Sequence, residues 1–325
     1  MLKRLALLTC LLTTAAFAAE KVSLKQQFQP GTYWITNLSK TDQTMNMGPQ
    51  AMKQAVTQMM VMKLDVGNAD AQGNRKAALS YERIVQNMDM MNGQMTMNFD
   101  SDKPDNSSPL AAAMKPLSQA TFTMTIDKDD NVTDVTGFSE LLGEMQKTNP
   151  QAAQMLGQMK DAFGDEQIKQ MISQGTQGLP AKQVTVGETW QQKIDMPLPM
   201  IGKMALNVDY KLTDVIQHND RKLATVTFEG KGDLKDAAAT AKQPLQFSRM
   251  DIKQDGRMYF DVAKGRAVRT ELNQTTEMAA QAAGGEQGIA MDISQDMQAV
   301  ILETAERNTE AEKEFLATGE LPTME

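Results

Sequence analysis

The stretch that decides the fold runs from residue 86 to residue 99 and reads QNMDMMNGQMTMNF. Its centre, Asn92-Gly93, supplies two residues that tolerate the positive φ of a type I′ turn. Such a turn sets the register of an antiparallel hairpin and pairs methionine with methionine, Met90 with Met95 and Met88 with Met97. One face of the hairpin is then methionine and the other is Asp, Thr and Asn. This pattern predicts antiparallel sheet with one face toward an interior and one toward solvent.

Alternation of apolar and polar residues continues on both sides of this hairpin. Period-two alternation between turn-forming residues is typical of strands that are buried on one face. The segments predicted as strands on this basis are Val56 to Val66, Phe122 to Ile126, Val208 to Leu212, Leu223 to Phe228 and Met258 to Val262.

Short motifs recur in the two halves of the chain in the same order. The matching pairs are GTYW (31–34) with GETW (187–190), RKAALSYE (75–82) with RKLATVTFE (221–229), and MTID (124–127) with MYFD (258–261). Ordered matches of this kind predict a tandem duplication. Because Trp34 and Trp190 occupy the same frame, we expect them to be structural anchors of two equivalent cores rather than ligand-binding groups.

The periodicity changes between the two halves. From Phe138 onward apolar residues fall at helical spacing, and Pro150 suits the first turn of a new helix. Asp165 is a candidate cap for a third short helix. We therefore predict an α+β fold, in which two tandem, similar antiparallel halves form curved one-sided sheets covered by a helical insertion. The predicted segments are a signal peptide (1–19), a first β-rich half (20–137), the helical insertion (138–178), a second β-rich half (179–302) and an acidic C-terminal tail (303–325), which is either a short surface helix or frayed.

Residues 1–19 have the three-part layout of a secretory signal, with Lys3 and Arg4, an apolar run, and a small-residue cleavage site at residues 16–19. The apolar run from Leu5 to Phe17 is shorter than the roughly 20 residues of a membrane-spanning helix, which favours cleavage over anchoring. Cys10 lies too close to Arg4, and follows the wrong residue type, for a lipid attachment site. We predict a cleaved, periplasmic or secreted bacterial protein without a later transmembrane segment.

The composition argues against many kinds of catalytic and metal site. Among 325 residues there are 27 Met but one His and one Cys, which leaves few parts for a zinc site, a Ser/His/Asp triad or a Cys/His dyad. The net charge of −8, made more negative by removal of the leader, argues against nucleic acid and anionic headgroups as partners. We expect no cofactor and no enzymatic activity.

Methionine clusters such as Met45-Asn46-Met47 and Met59-Met60-Val61-Met62 suggest three interpretations. Thioethers are soft ligands that suit Cu(I), but three or four sulfurs must converge on one ion. Methionine also fills irregular gaps in a core, which is the more common role. The third interpretation is a plastic pocket for an apolar ligand, lined by Met88, Met90, Met95 and Met97.

Other candidate sites have weaker patterns. Asp127, Asp129, Asn131 and Asp134 alternate as in a calcium loop, but Val132 stands where that loop needs Gly, so a solvated turn is favoured. His218 lies in a polar turn without an identifiable catalytic partner. A pair of carboxylates for hydrolysis is not singled out by any spacing.

Several motifs together resemble a family of bacterial exported proteins, a domain of unknown function with two G-x-x-W half-repeats. They are GTYW (31–34), SYERI (80–84) followed by NFDS (98–101), LP (179–180) with VGETW (186–190), and FD (260–261) with GR (265–266). The resemblance implies export and a repeated β-rich architecture, and it implies no activity.

Together these observations favour a non-catalytic exported protein that binds an apolar ligand or lipid on a Met-lined sheet face. The alternative is a structural or interaction module of the cell envelope with a packed core and no small-molecule ligand. Cu(I) binding through Met and an enzyme that uses carboxylates alone are further alternatives.

Overall fold

The structure is a computed structural model, and it describes residues 20–48, 50–103, 109–148, 178–198, 202–237, 245–282 and 290–323, together with residues 165 and 169. Its strands are β1 (Lys21–Val22), β2 (Gly31–Met47), β3 (Gln50–Val66), β4 (Arg75–Met90), β5 (Met95–Asp100), β6 (Thr121–Ile126), β7 (Val132–Thr136), β8 (Val184–Thr185), β9 (Thr189–Leu198), β10 (Gly202–His218), β11 (Arg221–Ala237), β12 (Leu245–Asp261), β13 (Arg266–Ala282) and β14 (Ala290–Thr304). Its described helices are α1 (Pro109–Ser118), α2 (Phe138–Thr148) and α3 (Thr309–Thr318).

Twelve of these strands form one antiparallel sheet. The order is β7-β6-β4-β3-β2-β14-β13-β12-β11-β10-β9, and β5 pairs with β4 beside β6. Strands β1 and β8 form a separate two-stranded pair. Because β2 pairs with β14, strands from both halves of the chain belong to a single continuous sheet.

The predicted α+β fold with helix-covered sheets is wrong. The described residues are mostly strand, and the helices among them are short beside strands of up to 17 residues, about 55 Å long. Helical periodicity correctly indicated α2, but an eleven-residue helix covers only a small part of so long a sheet. Apart from α2 and residues 165, 169 and 178, the predicted insertion lies outside the described residues, as does the predicted signal peptide.

The sheet curls around residues 22–28. The backbone N–H of Gln27 donates to the carbonyl of Gly265 at 2.7 Å, and that of Phe28 donates to Oδ1 of Asp130 at 3.0 Å. Asp130 lies in the turn between β6 and β7, and Gly265 lies in the turn between β12 and β13. In a flat sheet these turns would be about six strand spacings apart, roughly 29 Å. Consecutive residues can reach both turns only because the sheet is strongly curved.

We call the concave side, on which residues 22–28 pack, the inner face, and the other side the outer face. Leu24 belongs to the buried cluster that includes Leu212 and Phe260 on the inner face of the second half. Phe28 packs against the buried cluster that includes Leu64 on the inner face of the first half. We call the strand ends near these contacts the lower end, and those near Met47, Met90 and Ala290 the upper end.

The helices pack at three separate places. On the inner face, Ala111 and Met114 of α1 pack against Ile84 and Phe99, and Phe138, Leu141 and Met145 of α2 pack against Phe122. On the outer face, Phe315 of α3 is 4% exposed and belongs to one buried cluster with Leu38, Met59, Val61 and Val85. The segment predicted as an acidic surface helix or frayed tail thus contains a helix with a buried face. No described helix is both long and apolar enough to cross a membrane.

The register predicted for the hairpin is confirmed. Met90 pairs with Met95, and Met88 pairs with Met97. Asn92 and Gly93 have φ values of 60° and 81°, which is the conformation that the Asn-Gly pair was expected to adopt. Met91 also has a positive φ of 52°, so the first residue of the loop is in the left-handed region as well.

Candidate ligand-binding face

A row of apolar side chains crosses the upper end of the inner face. The strand registers pair Met52 with Met45, Met45 with Ile293, Ile293 with Met278, and Met278 with Met250. Directly paired residues point to the same face of a sheet. We call these five residues the methionine row. It spans β3, β2, β14, β13 and β12, which are contributed by both halves of the chain.

The four methionines singled out by the sequence lie beside this row. Met88 and Met90 are on the inner face of β4, and Met95 and Met97 are on the inner face of β5. This is the face on which α1 packs against Phe99. Met88, Met90 and Met97 are half-buried, and Met95 is 45% exposed. None of the four belongs to a described core cluster, so these side chains are accessible at the hairpin end.

Sequence reasoning missed the row itself. Met45 was noted only as part of a local cluster, and Met250 and Met278 were not singled out. Pairing between β2 and β14 joins residues that are far apart in the chain, so no local turn motif predicts it. The alternation of side chains along the two strands could have revealed it. Once the β2–β3 turn is placed, Met45, Met47 and Met52 all lie on the same face of the sheet.

A row of polar but uncharged side chains lies immediately below the methionine row. Gln54 pairs with Gln43, Gln43 pairs with Gln295, and Gln295 pairs with Thr276. We call these four residues the glutamine row. The next row down contains Met97, Met88, Val56, Thr41, Met297, Gln274 and Gln254 in continuous register.

Charges are segregated to the outer face at this level. The three inner-face rows contain no ionisable side chain. The residues that alternate with them on the outer face include Asp42, Lys53, Asp296, Glu277 and Asp251. Because an unpaired charge is costly to desolvate, a face without charges is suited to apolar or neutral polar contacts.

The lower end of the inner face is different, because it holds a buried charge cluster. Nη1 of Arg266 lies 3.4 Å from Oε1 of Glu303, and its guanidinium stacks 3.8 Å from the Tyr33 ring centroid. Burial raises the pKa of the Glu303 carboxyl, and the charge of Arg266 partly offsets this rise. Nε of Arg266 and Oδ2 of Asp261 are buried without hydrogen-bond partners.

The two tryptophans lie on opposite faces of the sheet. The ring of Trp190 stacks on Tyr210 at 5.6 Å between centroids, and its Nε1 donates to the carbonyl of Gly178 at 2.8 Å on the inner face. Trp34 packs beside Phe315 on the outer face, 6.0 Å from the guanidinium of Arg307. Each contacts a cluster of buried residues, but the two clusters are not equivalent. The expectation that both are structural anchors stays a prediction.

Other repeated motifs do occupy equivalent positions. Asp127 follows β6, and its Oδ1 accepts hydrogen bonds from the backbone N–H groups of Asp129 and Asn131. Asp261 ends β12, and its Oδ1 accepts from Ala263 and Lys264 in the same way. The Asp127 side chain that suggested a calcium loop is thus hydrogen-bonded within its own turn.

Three cavities lie away from the methionine row. One of about 380 Å³ lies between α1 and α2 and is lined by Lys115, Glu140 and Glu144 among others. A second, of about 310 Å³, is a charged depression on the outer face around Lys231 and Asp251. A third, of about 110 Å³, lies beside Phe315 under the end of α3.

Metal ligands of the usual kinds are not assembled in the part of the chain that the structure describes. No group of three or more His, Cys, Asp or Glu side chains there is placed to hold an ion. His218 lies at the β10–β11 turn, 3.1 Å from the side-chain nitrogen of Asn219. The methionine thioethers remain as possible soft ligands.

A single large curled sheet with the methionine row on its inner face defines a β-rich protein. A family model described as a family of unknown function, DUF6263, matches residues 72–266. This match covers more than half of the chain, and the chain belongs to that family. No curated protein sequence matches the chain.

The solved structures that match this chain share little sequence with it. A protein from Parabacteroides distasonis ATCC 8503 that is described as a lipoprotein is 9% identical, with a TM-score of 0.27 over 87% of this chain and 98% of that one. The COG4313 outer membrane channel from Pseudomonas putida F1 is 8% identical, with a TM-score of 0.24 over 86% and 98%. OccK7 (OpdD) from Pseudomonas aeruginosa is 8% identical, with a TM-score of 0.23 over 84% and 99%. Similarity at this level carries no conclusion about function.

Proposed function

We propose that the protein is a non-catalytic exported protein of the bacterial envelope that binds an apolar ligand against the methionine row. The observation that carries this proposal is the row itself, five apolar side chains in register on one uncharged face. The envelope location rests on the secretory layout of residues 1–19.

The chemistry of methionine supports a binding role. The side chain is unbranched and polarizable, so it adapts to apolar ligands of different shape. Met45, Met52, Met250 and Met278 are only half-buried, whereas Met59 and Met204 in the packed parts of the sheet are 0% and 2% exposed. Half-buried methionines on a concave face gain apolar contact area when a ligand covers them, at about 25 cal/mol per Å².

The distribution of charge supports the same proposal. Ionisable side chains on the inner face are placed at the lower end, where Arg266 and Glu303 pair with each other. An apolar chain that lies across the upper rows therefore displaces water without stripping it from an ion. Non-catalytic binding also agrees with the single His and single Cys of the chain.

Binding of the uncharged fluorophore N-phenyl-1-naphthylamine tests the proposal. Met45→Lys places an ammonium group within the row and is expected to reduce the affinity for the fluorophore at least tenfold. The matched control is Asn46→Lys, which adds the same charge one residue away on the exposed outer face. Thermal unfolding of both variants separates loss of binding from loss of fold.

Native mass spectrometry of the protein purified from its own host supplies the second readout. A co-purifying apolar molecule that is lost from Met45→Lys but kept in Asn46→Lys supports the proposal. Equal fluorophore affinity in all three proteins contradicts it and favours the alternative, a structural or interaction module. Saturable binding of Cu(I), abolished by Met45→Leu and by Met278→Leu, would instead favour a copper site.

A further inference from the structure

The glutamine row lies at a defined distance from the methionine row. Gln43 is two residues from Met45 on β2, and Gln295 is two residues from Ile293 on β14. Two residues along a strand span about 6.6 Å, which separates neighbouring side chains on one face. A ligand that covers the methionine row therefore has a line of polar groups directly alongside it.

The amides of this row are available to a ligand. Gln43, Gln54 and Gln295 are half-buried, and within the described part of the chain their side chains take part in no hydrogen bond. Thr276, at the end of the row, is 4% exposed, and its Oγ1 accepts a hydrogen bond from Nε2 of Gln274 at 3.3 Å. Partly desolvated amides without partners are unfavourable, so groups that hydrogen-bond to them are favoured.

The chemistry of the row discriminates between kinds of polar group. A Gln amide offers two N–H donors and a carbonyl acceptor, and it pairs well with hydroxyl and ester groups. No Lys or Arg stands in the methionine row, the glutamine row or the row below to neutralise a carboxylate or a phosphate. An ionised headgroup would lose its hydration there without gaining a counterion.

We propose that the glutamine row is a subsite for the uncharged polar group of an acylglycerol, whose hydrocarbon chain lies on the methionine row. This inference rests on the proposed function, because it names the class of ligand bound at the same face. Hydroxyl and ester oxygens of the glycerol end accept from the amides of Gln43 and Gln295, and its hydroxyl groups donate to their carbonyls.

Competition against N-phenyl-1-naphthylamine with monoolein and with oleate, at neutral pH, tests the inference. Both competitors carry the same hydrocarbon chain, so they differ in the charge and hydrogen bonding of the polar end. Monoolein is expected to compete at least tenfold more strongly than oleate. The double variant Gln43→Leu with Gln295→Leu removes two amides at nearly constant volume, and it is expected to weaken monoolein by about tenfold or more, at about fivefold for each lost hydrogen bond.

The control is Gln298→Leu, which makes the same change at an exposed outer-face position of β14. In the double variant, fluorophore binding is expected to be retained, because Leu keeps the face apolar. If the fluorophore binds and monoolein affinity is equal in the wild type and the double variant, the glutamine row is not a subsite. Oleate competing as well as monoolein also overturns the inference. If the wild type binds no fluorophore, the proposed function itself fails, and the two failures are thereby distinguished.

Discussion

Arg307 and Glu312 form a bidentate ion pair at the start of α3. Nε of Arg307 lies 2.7 Å from Oε1 of Glu312, and Nη2 lies 2.7 Å from Oε2. The Glu312 side chain is 4% exposed and that of Arg307 is 29% exposed. The pair fixes the first turn of the helix against the outer face, where Asn308 also accepts a hydrogen bond from the N–H of Ala311.

Replacing Glu312 by Gln is expected to lower the free energy of unfolding by about 1 to 3 kcal/mol, because the partly buried guanidinium loses its bidentate carboxylate partner. Urea unfolding monitored by Trp34, which lies in the cluster with Phe315, measures the loss. Glu310→Gln is the control, since that side chain is 86% exposed and its pair with Lys313 should contribute less than about 1 kcal/mol. Equal effects of the two substitutions would contradict the role assigned to the buried pair.

Gly137 allows the chain to pass close to β6 before α2. Its φ is 124°, and a Cβ at this position would lie 2.5 Å from the carbonyl oxygen of Thr121. Gly137→Ala is therefore expected to destabilise the protein by about 1 to 3 kcal/mol. Gly143→Ala is the matched control, because it lies within α2 with no atom within 4 Å of the added Cβ, and it should stabilise by up to about 1 kcal/mol. A shift of both variants in the same direction would show that the close approach is absent.

Glu303 makes the protein less stable as the pH rises, which is opposite to the usual effect of a carboxyl group in a folded protein. Burial raises the pKa of its carboxyl above the ordinary value of 4.5, so the folded state holds this proton more tightly than the unfolded state does. Its contribution to stability is complete below 4.5 and is lost as the pH rises through the raised folded pKa. Relative to Glu303→Gln, the wild type should lose stability over this interval, as measured by urea unfolding between about pH 4 and pH 8. A difference between the two proteins that stays constant with pH would contradict the burial of an ionisable group beside Arg266.

The curl of the sheet predicts that the turns near Asp129 and Lys264 are close. Because the single cysteine of the chain, Cys10, lies in the predicted leader, the mature protein gives a cysteine-free background for introducing cysteine pairs. Asp129→Cys with Lys264→Cys should be joined by a bifunctional maleimide with a reach of about 10 to 15 Å, since consecutive residues contact both turns.

The control pair for this cross-link is Asp129→Cys with Asn92→Cys. These positions lie at the lower and upper ends of the sheet, separated by most of β4, about 50 Å. Cross-linking of the control pair, or failure of the first pair to react, would show that the sheet is not strongly curved.

Local chemistry was enough to predict the hairpin around Asn92 and its methionine pairs, because the turn and the alternation act within a few residues. It was not enough to predict how far the strands extend. Gln54 interrupts the apolar alternation on the inner face, so the 17-residue strand β3 was recognised only from Val56 to Val66. A sequence does not show whether a polar residue lies on the concave face of a sheet or in a solvent-exposed loop.

The sequence repeat alone did not predict on which face of the sheet each repeated residue lies, because that depends on long-range strand pairing. Met124 and Met258 share a motif and both lie on the inner face, whereas Trp34 and Trp190 share a motif and lie on opposite faces. The difference arises beside the junction of the halves, where β2 has a second neighbour in β14 and β9 is an edge strand. Trp34 packs against the cluster that contains Phe315 of α3 on the outer face of β2, and among the described residues no helix packs in this way at β9.

The seating of residues 22–28 has a consequence for how the chain reaches its native state. Gln27 and Phe28 bond to Gly265 and Asp130, partners that follow them at great distance along the chain. Contacts of such high sequence separation form late, because the loops they close must first lose their freedom. Residues 22–28 are therefore seated last, after the twelve-stranded sheet has formed, and substitutions in this short segment should speed unfolding more than they slow folding.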